Sequence, residues 1–568
     1  MYSYKFAAAR IISKVCDSIT VDELAGMMEY PPDPKMGDIA FPCFKLSKVL
    51  RKSPVMIADS FRDALAADND AAEIFEKIES VSGYLNLKVS EKALCEDVKT
   101  MLDKGTKYGS SDVGNGKTIV IDYSSPNIAK PFHIGHLRST VIGQSIKNIF
   151  KFSGYNCVGV NHLGYWGTQF GKLITAYKLW GNKEDIEARG IKALNEIYVK
   201  FHKEAEEKPE LEDEARANFA KMEQGDEEAL SLWKWFVDIS INEFKKTYDL
   251  IGADFESWRG ESFYFDKTDA VVDELKAKDL LKFDDGAYIV PLEEYDMPPC
   301  LILKADGSTI YATRDIAAAT FRKNTYDFEK CIYVTSAGQS LHFAQFFKVI
   351  GMMGYEWSKD MVHVPFGTVS FGGAKIATRT GNMILLEDIF DQAIEKTMQI
   401  IDAKNPDLAD KENVAKAVGV GAIIFNDLSN NRIRDVDFNM DDALSFEGNT
   451  GPYVQYTYAR CEGIIEKSGV TVDGSTLVLT DGAESALIKV LNMFPEKVTQ
   501  ARNDLEPSVI SRYLLDVCAA FNRFYHDCPV LKVEDEKIRN TRLALVGATA
   551  NVLKNGLTLI GLKTPKNI

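Results

Sequence analysis

The sequence lacks paired cysteines, a long apolar run and an excess of basic charge, and each absence bears on what the chain can be. Its nine cysteines stand singly at positions 16, 43, 95, 157, 300, 331, 461, 518 and 528, with no C-x-x-C among them. An odd number cannot all pair within one chain, so reduced, mostly buried thiols are expected rather than disulfides or a zinc site. No uninterrupted apolar stretch reaches the length that spans a bilayer. The opening MYSYKFAAARIISKVCDSI is broken by Arg10 and Lys14, which fits neither a signal peptide nor a membrane anchor. A cytoplasmic protein with no membrane contact is the expectation. Basic residues are outnumbered, 67 Lys and Arg against 83 Asp and Glu, for a net charge of −16. Taken alone this argues against a nucleic-acid partner. What RNA meets, however, is the local field of one face, so charge decides nothing here.

What is present suggests a multidomain protein. At 568 residues the chain suggests roughly three or four domains, and no internal repeat or low-complexity tract stands out. Residues 1 to about 110 read as a separate α+β unit. Helix-like segments (Tyr4–Ser18, Ser47–Ala66) flank a loop of Pro and Gly at 30–38, and Tyr84–Val89 alternates like a strand. The glycine-rich 107–117 reads as a linker. Four β-rich runs follow, Thr118–Tyr123, Tyr155–Asn161, Cys331–Ser336 and Met361–Val364, with helical patterns between them. Such alternation predicts a Rossmann-type, doubly wound parallel sheet over 111–448, whose ligands bind beyond the carboxyl ends of the strands. The charge-dense stretch from about 182 to 246 predicts a helical insertion with solvated faces. From 449 to 568 an all-α bundle is expected. Ile510, Leu514, Val517, Phe521 and Phe524 mark one apolar helix face, and Leu543, Val546, Ala550, Leu553, Leu557 and Ile560 another.

One corner of this plan carries chemistry. His133-Ile134-Gly135-His136 follows the first predicted strand and opens a helix, where free N–H groups and the helix dipole favour phosphate. Gly135 lets the backbone approach a nucleotide. Two imidazoles can donate to phosphate oxygens as charge develops on them, and Lys130 adds a cation just upstream.

The extended run Asp122-Tyr123-Ser124-Ser125-Pro126-Asn127-Ile128-Ala129-Lys130-Pro131-Phe132-His133-Ile134-Gly135-His136-Leu137-Arg138-Ser139-Thr140 resembles the signature of the class I aminoacyl-tRNA synthetases, and among them the arginyl-tRNA synthetases. The resemblance runs essentially from end to end. It takes in Trp166–Gly171, Tyr311-Ala312-Thr313-Arg314-Asp315, Asn449–Tyr456 and Ala520–Tyr525. It implies an ATP-dependent arginine–tRNA ligase. L-arginine and ATP, with Mg2+, would give arginyl-adenylate and pyrophosphate; the 2′-hydroxyl of the terminal adenosine of tRNA(Arg) would then take the arginyl group. Such a reaction asks the protein mainly to position reactants and stabilise phosphate charge.

Arginine carries a permanently charged planar fork, so its pocket needs carboxylates. Asp315 with Tyr311 beside it is the first choice, and Glu261 is the second carboxylate that similarity suggests. Asp122, Asn127, His133 and Gln339 match positions that hold the amino acid's backbone groups. His133, Gly135, His136, His342 and Lys375 are expected at ATP. His162 reads equally as a packed structural residue or a ligand. Lys375-Ile376-Ala377-Thr378-Arg379 stands where class I enzymes carry K-M-S-K-S; its second lysine is Thr378, so Lys130, with Lys375 and Arg379, is expected to supply the charge. Tyr165 replaces an acidic residue usual in the family. Tyr453, Tyr456 and Tyr525 are candidate stacking surfaces for tRNA bases. The resemblance further implies that residues 1–110 grip the tRNA elbow and 449–568 the anticodon. A monomer is expected. Two alternatives stay open on the residues alone: another H-x-G-H nucleotide enzyme, or a non-enzymatic RNA-binding paralogue.

Overall fold

The structure, a computed structural model, describes residues 4–128, 132–164, 166–371, 374–375, 385–472, 474 and 476–568. Where the sequence suggests one helix from Tyr4 to Ser18, the helix stops at Ile12. Ser13 turns its hydroxyl back onto the Arg10 carbonyl at 2.8 Å, a local bond that competes with the next turn. A second helix, Val21–Met27, then starts behind a Thr20–Glu23 capping box. The segment Ser47–Ala66 is also split, into Ser47–Leu50 and Pro54–Ala66. Arg51 adopts a left-handed φ of 52°, Ser53 caps the Met56 N–H, and Pro54 suits a helix start but not a helix interior. These helices accompany an antiparallel sheet of β1 (Ile39–Pro42), β2 (Phe75–Val81) and β3 (Tyr84–Val89), in the order β1-β3-β2.

β4 (Thr118–Asp122), helix α1 (Ile134–Phe152) and β5 (Asn156–Val160) form the first strand–helix–strand unit. The charged insertion is helical, as Lys183–Arg189, Ile191–Glu207, Glu210–Glu223 and Glu227–Ile251. A small antiparallel sheet follows, β6 (Lys282–Asp284), β7 (Ala287–Val290) and β8 (Cys300–Lys304). Then come α2 (Tyr311–Tyr326), β9 (Lys330–Ser336), α3 (Ser340–Met352) and β10 (Met361–Phe366). Strands β4, β5, β9 and β10 pair in parallel, in the order β10-β9-β4-β5. The chain winds outward from β4 to β5 and returns on the other side to β9. The crevice above β4 and β9 is therefore the switch point of a doubly wound sheet.

The pleat sorts the two faces of this sheet. Ile119, Ile121, Ile332 and Val334 join one core with Val141, Ile142 and Ile146 of α1. Val120, Cys331 and Tyr333 face the other way, into a core with Ile316 of α2 and Phe346 and Ile350 of α3.

Beyond β10, β11 (Val369–Phe371) pairs antiparallel with β12 (Ala374–Lys375) and parallel with β13 (Val436–Phe438), with α4 (Lys411–Leu428) before β13. The C-terminal part is helical: α5 (Gly451–Ser468), Gly482–Asn492, Phe494–Asp504, α6 (Ser508–Asp527) and α7 (Glu536–Leu559). Both apolar faces read from the sequence are buried. α7 goes further and buries Ala544, Gly547, Ala548 and Gly556 as well. A Cβ on Gly556 would lie 2.4 Å from Leu514 Cδ2, so α6 closes on it directly. Ser145 of α1 donates to the Leu559 carbonyl at 3.0 Å, tying the H-x-G-H helix to the bundle. All nine cysteines are free thiols, and all but the half-buried Cys95 are buried. Among the described residues no helix is long and apolar enough to cross a membrane.

Candidate active site

The site begins where β4 ends. Ser124 and Ser125 follow the strand with φ of 70° and 47°, two consecutive non-glycine residues in the left-handed region. Their side chains hold that bend. Ser124 Oγ lies 2.7 Å from the Tyr248 hydroxyl and accepts from Thr140 at 2.8 Å. Ser125 Oγ donates to Asp122 at 2.9 Å and accepts the His162 N–H at 3.0 Å. The backbone then runs past Gly164, whose missing side chain leaves room for Asn127: a Cβ there would stand 2.1 Å from Asn127 Oδ1.

His133 caps α1. Its Nδ1 accepts the Gly135 N–H at 3.0 Å, and His136 Nδ1 accepts the His133 N–H at 3.2 Å. The two rings lie 3.9 Å apart. Accepting at Nδ1 assigns each neutral ring the Nε2–H tautomer, which donates from Nε2. Phe132 packs 5.0 Å from the His136 ring and is itself buried.

Across the crevice, α2 and α3 bring two expected residues into contact. His342 Nε2 lies 2.6 Å from Asp315 Oδ2. Tyr311, one turn before Asp315 on α2, is 71% exposed, so its ring stands open at the rim. Glu261 opens the short helix Glu261–Tyr264 and accepts the Trp166 N–H. Burial pushes its carboxyl above the usual range, Arg314 opposes that, and the charge of Asp315 adds to it. The two carboxylates thus share one field, as a guanidinium pocket requires. Gln339 is exposed at the N-cap of α3, one turn before His342.

Asp122 is already engaged. Its Oδ2 accepts from Arg322 Nη2 at 2.7 Å, in a pair with both side chains nearly inaccessible. Burial works against the Arg322 charge, but Asp122 outweighs it and keeps the guanidinium protonated. His162 Nδ1 lies 3.3 Å from Arg322 Nη2, and the His162 ring stacks on Tyr264 at 5.4 Å. Burial holds the His162 pKa below the ordinary value. Arg322 was not singled out by the sequence. A usable signal exists: it falls three turns after Tyr311 on the same helix stripe as Asp315.

The three tyrosines expected at tRNA meet on one surface. Arg460 of α5 lies over the Tyr456 ring at 5.2 Å and the Tyr525 ring at 5.6 Å. It donates to Asn522 at 3.2 Å, and Asn522 donates to the Tyr453 hydroxyl at 2.7 Å. Tyr456 and Tyr525 are 39% and 41% exposed, enough to present ring faces. Lys130, Tyr165, Thr378 and Arg379 lie outside the described residues; Lys375 is described as backbone in β12.

A parallel sheet with H-x-G-H at its switch point is the arrangement of a class I aminoacyl-tRNA synthetase. Residues 97–440 match the family described as tRNA synthetases class I (R), catalytic domain. Residues 7–89 match the arginyl tRNA synthetase N terminal domain, and 454–568 the DALR anticodon binding domain. The chain is 52% identical to an arginine–tRNA ligase of Alkaliphilus metalliredigens, with 100% of both chains covered. To one of Clostridium beijerinckii it is 50% identical, over 98% of this chain and 99% of the other. Among solved structures it is similar in fold to Thermus thermophilus arginyl-tRNA synthetase, at TM-score 0.84 and 24% identity with both chains fully covered. It also matches arginyl-tRNA synthetase from Plasmodium falciparum, at TM-score 0.81 and 27% identity over 100% and 98% of the chains. The chain belongs to the arginyl-tRNA synthetase family.

Proposed function

We propose that the chain ligates L-arginine to tRNA(Arg) with ATP in the crevice above β4 and β9. The arginine carboxylate attacks the α-phosphorus of ATP, giving arginyl-adenylate and pyrophosphate. The 2′-hydroxyl of the terminal adenosine then attacks the activated carbonyl, giving arginyl-tRNA and AMP. Asp315 and Glu261 take the guanidinium beside the open face of Tyr311, while Asp122, Asn127, His133 and Gln339 hold the backbone groups of the amino acid. His133 and His136 donate to the phosphates beside Gly135, and Lys130, Lys375 and Arg379 supply positive charge. Magnesium bound with ATP would add to the positive charge that His133, His136 and Lys130 offer the phosphates. His342, in contact with Asp315 at 2.6 Å, joins the arginine and nucleotide halves; this contact is the observation that carries the reading.

On this reading residues 111–448 catalyse, 1–110 grip the tRNA elbow and 449–568 read the anticodon through Tyr453, Tyr456 and Tyr525. The chain works as a monomer in the cytoplasm. Arginine-dependent ATP–pyrophosphate exchange tests the assignment. Exchange is expected only when tRNA is present. No exchange with folded protein under either condition would sink the reading.

A further inference from the structure

Arg138 stands two residues past His136 on α1, with its side chain turned away from the phosphate site. It is 1% exposed, and its guanidinium meets four groups from later parts of the chain. Nε lies 2.9 Å from Asp427 Oδ1 of α4. Nη1 donates to the Arg434 carbonyl at 2.7 Å and the Thr368 carbonyl at 3.4 Å, and Nη2 donates to the Arg432 carbonyl at 3.2 Å.

Those carbonyls frame the root of the β11–β12 hairpin. Thr368 immediately precedes β11; its N–H donates to Asp435 at 2.6 Å, and its carbonyl also accepts from Val436 at 2.9 Å. Two residues on, Ser370 stands opposite Lys375 in the antiparallel register. Gly367 packs so tightly that a Cβ would fall 2.6 Å from the Arg434 carbonyl oxygen. The hairpin root therefore has little room to shift, and Arg138 is the side chain that joins it to the H-x-G-H helix.

We infer that Arg138 is a positioning residue for the nucleotide site, holding α1 in register with the hairpin that carries Lys375. The inference rests on the reading that His133, His136 and Lys375 meet ATP. A planar five-donor fork can bond a carboxylate and several carbonyls at once, which a lysine ammonium on a flexible stem cannot reproduce. Net stability is a poor reason for such a group, because a buried ion pair often contributes no more than an apolar pair of similar size.

Two variants separate positioning from folding. Arg138→Lys keeps a cation beside Asp427 but loses the fork; Arg138→Met with Asp427→Leu removes the charges together. Each is followed by thermal denaturation and by aminoacylation kinetics with ATP and arginine varied separately. In folded variants we expect kcat/KM for ATP to fall about 10- to 100-fold, with a clearly smaller loss toward arginine, which α1 meets through His133 alone. Wild-type ATP kinetics in a folded variant, or equal losses toward ATP and arginine, would overturn the inference. So would loss of the folded state in both variants, which would make Arg138 a folding residue. An inactive wild-type chain would overturn the functional reading first, and is told apart because it precedes any substitution.

Discussion

At the scale of single residues, the site turns on how each carboxylate spends its charge. Asp122 is paired with Arg322 at 2.7 Å inside the protein, so its charge is already answered within the protein. Asp315 is bonded at Oδ2 to His342, an imidazole. Glu261 is held partly by a backbone N–H and stands in the field of Arg314. Asp315 is therefore the carboxylate best placed to answer a guanidinium. Asp315→Ala is expected to raise the KM for arginine on the order of 100-fold, the equivalent of about 3 kcal/mol for truncating one side of a charge pair. The KM for ATP should change only a few-fold, through the loss of the His342 contact. Steady-state exchange kinetics with each substrate varied in turn would check this; equal losses would remove Asp315 from the guanidinium pocket.

At the scale of elements, β9, β10 and α3 are joined by His363. It lies 2.9 Å from Thr335 of β9 and stacks on Phe343 of α3 at 4.5 Å and 9°. Burial lowers the pKa of His363 from 6.5 to about 4, against the Thr335 backbone contact that favours the charged form and with Arg432 adding to the fall. Between these values the unfolded chain binds a proton that the native chain refuses, so stability is full above pH 6.5 and declines as pH falls toward 4. His363→Gln should flatten that part of the curve of Tm against pH; an unchanged slope would exclude this residue as its source. His363 also marks what the sequence could convey. The strands of the parallel sheet and the helical faces of α6 and α7 were legible, because periodicity and β-branched runs report burial directly. The H-x-G-H corner was legible for the same reason, since its strand and helix flank it. Arg322 and Arg138 were not picked out as functional residues: helix spacing puts Arg322 on the Asp315 stripe, but only the fold brings Asp122 and Asp427 beside the two guanidinium groups. The breaks at Ser13 and Arg51 were likewise missed, since single side-chain bonds and one left-handed residue leave the apolar pattern intact.

At the scale of the whole molecule, the first and last parts of the chain are joined by charge and aromatic packing. Glu496 accepts from Lys5 at 3.0 Å and from the Tyr30 hydroxyl at 2.7 Å, and Lys5 sits 3.7 Å over the Tyr30 ring. Asp38 pairs with Lys489 at 2.7 Å. Beside them Phe494 stacks between Tyr108 and Tyr513, at 6.2 Å and 5.8 Å. Gly109, at φ 87°, passes so close that a Cβ would stand 2.5 Å from the Phe494 ring. If 1–110 holds the elbow of a tRNA and 449–568 its anticodon, this junction sets the distance between the two grips. On that reading a net charge of −16 gives RNA no long-range attraction to the chain as a whole, and binding would depend on two local surfaces held in a fixed relation. Glu496 is one-third exposed at its side chain, so its pair is screened and worth about 1 kcal/mol. Glu496→Ala should raise the KM for tRNA about five-fold while leaving the KM values for ATP and arginine unaltered, because the crevice is untouched. Tyr30→Phe removes one of the same contacts and should give a smaller effect of the same kind. A Glu496→Ala enzyme with unchanged tRNA KM would mean that the two ends bind RNA independently, and that the junction serves stability alone.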